Sequence, residues 1–352
     1  MTGPLPREIP ALADGRSAEP TTALVVGGGL SLAAYHGGAY QAFAERQLPL
    51  HWTAGSSAGA VTAALIAGSA PEERVFRLRT FWGIGTEAPS SGPFAHLEGW
   101  MSAVRAHVVG DPAHFYPRFP SARFHSLYDL TPMRPRLAQL IDFGRLNSGD
   151  VRLCIVATDV RSADPVVFDS LTTRIELDHV LASCGFLPEF APVNIGEQTL
   201  VDGGLSLNAP FDPILHACAG PLRLFVLDLY ARDDALPTSL EAALERKNDL
   251  IFGNQTYLRL KDKIAIRRLQ RELAGDTTNA DDIALLSYRA VADEPGPEKS
   301  FNFSRPALTR RWCAGRLDME AALGVDVPAI DGLRVIRRGP AMAQPDGGAE
   351  TG

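Results

Sequence analysis

Short apolar runs that break off at glycine clusters alternate, in the first part of this chain, with longer stretches whose apolar residues recur at helical spacing. The first run, Ala23 to Val26, is β-branched and stops at Gly27-Gly28-Gly29, which predicts a buried parallel strand. Tyr35, Ala39, Phe43 and Ala44 then predict a helix from about Ala33 to Arg46. A second strand is expected around His51 to Ala54, ending at the turn Gly55-Ser56-Ser57-Ala58-Gly59, with an Ala-, Val- and Leu-rich helix to about Ala67. Strand, glycine turn and helix, twice over, predict a parallel α/β sheet with both turns at the carboxyl edge, where such folds place ligands.

From about Ala70 to Ser148 the pattern loosens into an insertion of helices and loops, in which Thr131-Pro132 opens a helix ending near Phe143. Strand-like runs return at Val151 to Thr158, Pro165 to Asp169 and Leu222 to Leu229. Ser239 to Leu273 reads as a helical region. Its run Lys261 to Arg271 mixes cations with Ile264, Ile266 and Leu269, and reads as a solvated face in preference to a membrane-surface helix.

A length of 352 residues, 45% of them hydrophobic, suffices for a sizeable core. The formal charge of −7 argues against a nucleic-acid partner and gives no general attraction to anionic membranes. Cys154, Cys184, Cys218 and Cys313 are far apart and lack metal-ligand spacing, so buried thiols in a reducing compartment are expected and no metal or cofactor is called for. No stretch approaches the ~20 apolar residues that span a bilayer, and Met1 to Thr22 lacks a signal-peptide core. A cytoplasmic protein follows, with any membrane contact peripheral; the oligomeric state cannot be read.

Gly55-Ser56-Ser57-Ala58-Gly59 matches G-x-S-x-G, which seats a serine on a sharp strand-to-helix turn, with Gly55 and Gly59 sparing collisions with the neighbouring strand and helix. A helix-capping serine is the bland alternative, and Ser56 sits at the wrong place in the pattern. Upstream, Gly27-Gly28-Gly29-Leu30 lacks the G-K-[ST] ending of a phosphate loop and the third glycine of a dinucleotide loop. Its N–H groups are better read as an oxyanion hole facing the serine, shared with Ala58 N–H. The histidines at 96, 107, 114, 125, 179 and 216 sit in no recognisable turn motif and read as structural or surface groups. The better base is Asp202 of Leu200-Val201-Asp202-Gly203-Gly204, where burial can raise a carboxylate toward the working range and Gly203 and Gly204 let the backbone pass close. Asp-Gly is equally a common β-turn pair.

These motifs, in this order, resemble the patatin-like phospholipases. The resemblance runs on through Ala157-Thr158-Asp159-Val160, Val180-Leu181-Ala182-Ser183-Cys184, Leu187-Pro188, Phe190-Ala191-Pro192-Val193 and Asn208-Ala209-Pro210, covering about residues 22 to 212. It implies a three-layer α/β/α fold with a mainly parallel central sheet and a C-terminal helical region. It also implies a Ser57/Asp202 dyad, an oxyanion loop at Gly27, Gly28, Gly29 and Leu30, and acyl-lipid substrates. The expected organisation is a flexible segment over 1–21, a catalytic domain over 22–230 with its insertion at about 70–148, a helical extension over 231–337 and a disordered tail over 338–352. Phe303-Ser304-Arg305, Trp312, Gly315 and Asp318 look like one bacterial branch of the family. Where family members often have G-G-G-x-[RK]-G, this chain places Leu30, Leu32 and Ala33 at the third glycine, the basic residue and the last glycine. Two other readings stay open: a carboxylesterase or depolymerase acting on non-membrane esters, and a pseudoenzyme that binds a lipid or a protein partner.

Overall fold

The opening apolar run forms β1 (Thr21–Val26), and after a 3₁₀ turn at Leu30–Ala33 the chain enters α1 (Ala34–Glu45). β2 (Trp52–Ser56) runs two residues further than its apolar pattern, because Gly55 pairs with Val26 and Ser56 with Val156. α2 (Ala58–Ala67) and α3 (Arg74–Trp82) follow. This computed structural model describes residues 19–85, 101, 110–111, 113–118, 126–234, 236–276, 281–289, 299–324 and 327–336. The flexible segment expected at the start, up to residue 18, the expected tail, and His96, His107 and His125 lie outside the described residues.

Within the insertion, a small hairpin of β3 (Tyr116–Pro117) and β4 (Tyr128–Asp129) precedes α4 (Met133–Leu140) and α5 (Phe143–Leu146). The sheet resumes with β5 (Arg152–Asp159) and β6 (Pro165–Asp169); α6 (Leu177–Ala182), β7 (Val193–Ile195), β8 (Gln198–Asp202), α7 (Gly204–Leu207), α8 (Asp212–Ala217) and β9 (Leu222–Asp228) follow. The long α9 (Leu240–Leu273) starts where expected, with Ser239 Oγ accepting the Ala242 N–H at 3.1 Å as an N-cap.

The stretch from 231 onward was expected to be a helical extension. It holds α9 and α10 (Arg305–Leu323), but it also adds β10 (Asp282–Ser287) and β11 (Leu333–Ile336) to the sheet. Each of these strands is four to six residues of apolar or mixed chain, too short for periodicity to separate from helix.

The nine-stranded sheet runs β11-β10-β9-β1-β2-β5-β8-β7, with β6 also on β5. From β11 to β5 every pairing is parallel, while β6, β8 and β7 are antiparallel. One face is buried under α1, α2, α3 and α10, the other under α8 and α9, each through its own apolar cluster. The architecture is therefore three-layer α/β/α with a mainly parallel central sheet.

Candidate active site

Ser57 and Asp202, 145 positions apart in sequence, meet through a feature of strand pairing. β2 and β6 both pair with Cys154 to Val156, so they must lie on opposite edges of β5. β8 pairs with Ala157, Thr158 and Asp159 where β6 still holds one edge, so β8 shares the edge of β2 and approaches it head-on. Ser56 faces Val156 and Asp202 faces the next residue, Ala157. The end of β2 and the end of β8 thus abut, and the residue after Ser56 stands beside Asp202.

The junction is tight enough to require its glycines. A Cβ on Gly203 would lie 2.1 Å from Val156 O and 2.9 Å from Ser56 Cβ; one on Gly59 would lie 2.1 Å from Val26 O. Ser57 itself has φ 56° and ψ −130°, a strained conformation for a residue with a side chain, at the N-terminus of α2. Three bonds hold it there: Ser57 N–H donates to Ser183 Oγ at 2.8 Å, Ser183 Oγ–H donates to Val156 O at 2.5 Å, and Cys184 Sγ–H donates to Ser57 O at 3.4 Å. Ser56 is wholly buried and donates to Asn208 O at 2.6 Å, which removes it as a competing nucleophile.

Asp202 is buried, and burial pushes its pKa up to about 7. The Ser57 hydroxyl and the Gly204 N–H, 2.7 Å from Oδ1, pull it down, and Glu189 pushes it up. Oδ2 nevertheless completes no hydrogen bond of ordinary geometry.

The glycine loop also faces Ser57: a Cβ on Gly28 would lie 2.9 Å from Ser57 Cβ. Its donors are not all free. Gly27 N–H bonds Leu227 O at 3.0 Å, and Gly28 N–H is shared between Asn208 Oδ1 at 3.1 Å and Asn208 O at 3.3 Å. This corrects the expectation that all four loop amides are available, because the first two are consumed by the β1–β9 ladder and by Asn208. No acceptor within the described residues takes the N–H groups of Gly29, Leu30 or Ala58, the last being a first-turn amide of α2. Gly29 (φ 156°) and Leu30 (φ 49°) have the backbone conformations that aim a loop sharply, and a Cβ on Gly29 would meet Leu229 at 2.7 Å.

The missing basic residue of the loop has a counterpart from elsewhere in the chain. Arg311 of α10 is fully buried and donates to Ser31 Oγ at 2.7 Å, Asn302 O at 2.8 Å and Lys299 O at 2.6 Å, while Ser31 donates to Ser300 O. Nothing in a local motif signals this partner, 280 positions away. Ser183 and Asn208 lay inside the family-like stretches, but no spacing rule marked them as supports of the turn.

Ser57 opens into a small apolar pocket, a cavity of about 40 Å³, walled by Leu30, Val61, Phe81, Trp82, Phe190 and Phe303 among others. His114 also lines it, with Nδ1 2.9 Å from Asp111 Oδ2, its ring stacked on Trp82, and Nε2 buried without a partner. His179 and His216 lie elsewhere, on α6 and α8. A larger groove, about 300 Å³, lies by the C-terminal half of α9, near Ile264, Arg271 and Asp281, and holds no nucleophile. Among the described residues no three His, Cys, Asp or Glu side chains are grouped to hold a metal ion, and no helix is long and apolar enough to cross a membrane.

A mainly parallel sheet covered on both faces, with a strained serine where its second strand turns into a helix, defines a class: α/β proteins with a strand-to-helix serine turn. The sequence profile of the patatin-like phospholipases matches residues 24–215, more than half of the chain, and the chain belongs to that family. Membership implies a hydrolase of lipid esters. No curated protein matches the sequence. Solved structures that resemble the chain include VipD from Legionella pneumophila, with 14% identity over 87% of this chain and 67% of that one at a TM-score of 0.42. Another is the heterodimeric ExoU–SpcU complex of the type III secretion system of Pseudomonas aeruginosa, with 18% identity over 70% of this chain and a TM-score of 0.29. This chain spans about half (52%) of the matched chain there.

Proposed function

We propose that the protein is a lipid acyl hydrolase that cleaves carboxylic ester bonds through Ser57 and Asp202. The observation that carries this reading is the head-on meeting of β2 and β8, which sets a strained serine beside a buried carboxylate with an unsatisfied oxygen. Ser57 Oγ attacks the acyl carbonyl carbon and its proton passes to Asp202. The carbonyl oxygen takes up the negative charge, held by the amides of Gly29, Leu30 and Ala58 at the positive end of α2. As the intermediate collapses, the ester C–O bond breaks and Asp202 returns the proton to the leaving alkoxide. Water then attacks the acyl-enzyme, giving its proton to Asp202, and the acid departs as Ser57 is regenerated.

The apolar pocket suits an acyl chain, and family membership favours phospholipid, lysophospholipid or neutral-lipid esters. A reducing, cytoplasmic setting accords with Cys154, Cys184, Cys218 and Cys313, all free thiols. A fluorophosphonate probe tests the nucleophile: the wild-type chain labels and Ser57→Ala does not, while folded wild-type protein that refuses the probe points to a binder without turnover. Profiling the products released from phospholipids and from water-soluble esters then separates a lipase from a general carboxylesterase or depolymerase.

One observation favours a second base. His114 faces the same pocket and is paired to Asp111 as an orienting carboxylate would pair it. If Asp202 is the base, Asp202→Asn abolishes labelling and His114→Gln leaves it within a few-fold; the reverse ranking assigns the role to His114.

A further inference from the structure

α9 is apolar on two opposite faces. Phe252, Leu260 and Ile264 are buried against the sheet, as are Asp249 and Thr256. On the far side Leu240, Leu244, Ile251, Leu258, Ile266, Leu269 and Leu273 are all exposed, Ile251 by 53% and Leu258 by 52%. At ~100° per residue these seven fall within an arc of about 80°, centred roughly opposite the buried face, and the stripe runs the length of the helix, about 50 Å. Asn248, Gln255 and Asp262 share the arc, which is apolar at the other seven of its ten positions; scattered exposed apolar side chains need no explanation, but seven in one arc do.

We propose that this stripe is the interface of a homodimer in which α9 of one copy packs antiparallel against α9 of another. The part of the stripe from Leu240 to Leu269 can pair with itself. About a two-fold axis between Asn254 and Gln255, Leu240 meets Leu269 of the second copy, Leu244 meets Ala265 and Ile251 meets Leu258, each contact occurring twice as an isologous interface requires. The same register sets Lys247 against Asp262. Both are exposed, Asp262 within the stripe and Lys247 at its edge, and neither makes an ion pair among the described residues. Their helical neighbours three and four positions away offer Lys247 only Ala243, Leu244, Leu250 and Ile251, so no carboxylate on its own helix serves it. A bilayer that took up the apolar side chains would have to take Asp262 of the same arc with them, whereas a second copy sets Lys247 against it.

Sedimentation equilibrium of the full chain tests this. Wild type is expected to be a dimer, and Ile251→Glu with Leu258→Glu a monomer that keeps its circular dichroism and its fluorophosphonate labelling, since both positions are exposed. Lys247→Glu or Asp262→Lys alone should weaken dimerisation by roughly tenfold, and the double exchange should restore it. A wild-type monomer, a dimer indifferent to the glutamates, or charge reversals without rescue would each overturn the proposal. So would flotation of monomeric wild type with phosphatidylcholine vesicles that the glutamates abolish, which would make the stripe a lipid-binding face.

Discussion

A carboxylate with a pKa near 7 is both a usable base and a cost to the fold. Asp202 is raised to about 7 chiefly because burial penalises its charged form, against ~3.9 in an unfolded chain. Acylation requires the ionised form, so the rate of fluorophosphonate labelling should rise with pH along a single-proton curve centred near 7. A midpoint near 4 would mean that burial does not tune this base. Stability moves the other way. Between the unfolded and folded pKa values the folded chain holds the extra proton, so stability falls as pH climbs from about 4 through 7 and the loss is complete above 7. Asp228, also buried and raised to about 7, adds in the same direction. Asp202→Asn should therefore gain stability over wild type increasingly from pH 4 to pH 8 in urea unfolding, and a pH-independent difference would exclude the linkage. Ser57 and Asp202 were legible as residues because their glycine neighbours mark where backbones must touch. Ser183 and Asn208, whose hydrogen bonds hold the turn and the glycine loop, belong to no spacing rule and became visible only once the strands were paired.

Elements take their positions here from close backbone contact. α1 and α10 approach until a Cβ on Gly38 would lie 1.8 Å from Trp312 O and one on Gly315 would lie 1.9 Å from Tyr35 O. Tyr35 Oη–H donates to Asp318 at 2.9 Å across the same contact, and Trp312 Nε1–H to Gln41 at 2.8 Å. Gly38→Ala or Gly315→Ala must push the helices apart, with an expected loss of about 3 kcal/mol or more in chemical denaturation, whereas Gly220→Ala, whose Cβ meets nothing, should be close to neutral. The same helix supplies Arg311 to the 3₁₀ turn after Gly29. Arg311→Met leaves three buried acceptors without their donor and frees the loop whose amides face Ser57. Labelling should slow by roughly tenfold or more, with partial recovery in Arg311→Lys and an unmoved pH midpoint; a shifted midpoint would show that Arg311 acts on Asp202 instead. The first two strands and helices were legible because apolar runs, glycine breaks and helical spacing all agree there. β10 and β11 were not, since four to six apolar or mixed residues carry no period of their own and become strands only against β9.

At the scale of the whole molecule, the family-matched segment and the folding unit are different lengths of chain. The match ends at residue 215, before β9 begins, yet β9 lies between β1 and β10 in the middle of the sheet. A chain cut after residue 234 would keep Ser57, Asp202 and the glycine loop. It would lose α9 and α10 from the two faces, and leave β9 as an unpaired edge over both exposed apolar clusters. Arg311, Lys299 and Asn302 would go with it, and with them the bonds that fix Ser31 beside the loop. Residues 1–234 alone should therefore show no cooperative thermal transition and no probe labelling, although the glycine loop, the serine turn and Asp202-Gly203-Gly204 are all present. Co-expression with residues 235–352 should restore labelling if the missing half acts by completing the sheet. A truncated chain that unfolds cooperatively and labels at the wild-type rate would show instead that the C-terminal strands and helices are an appendage to a self-sufficient domain.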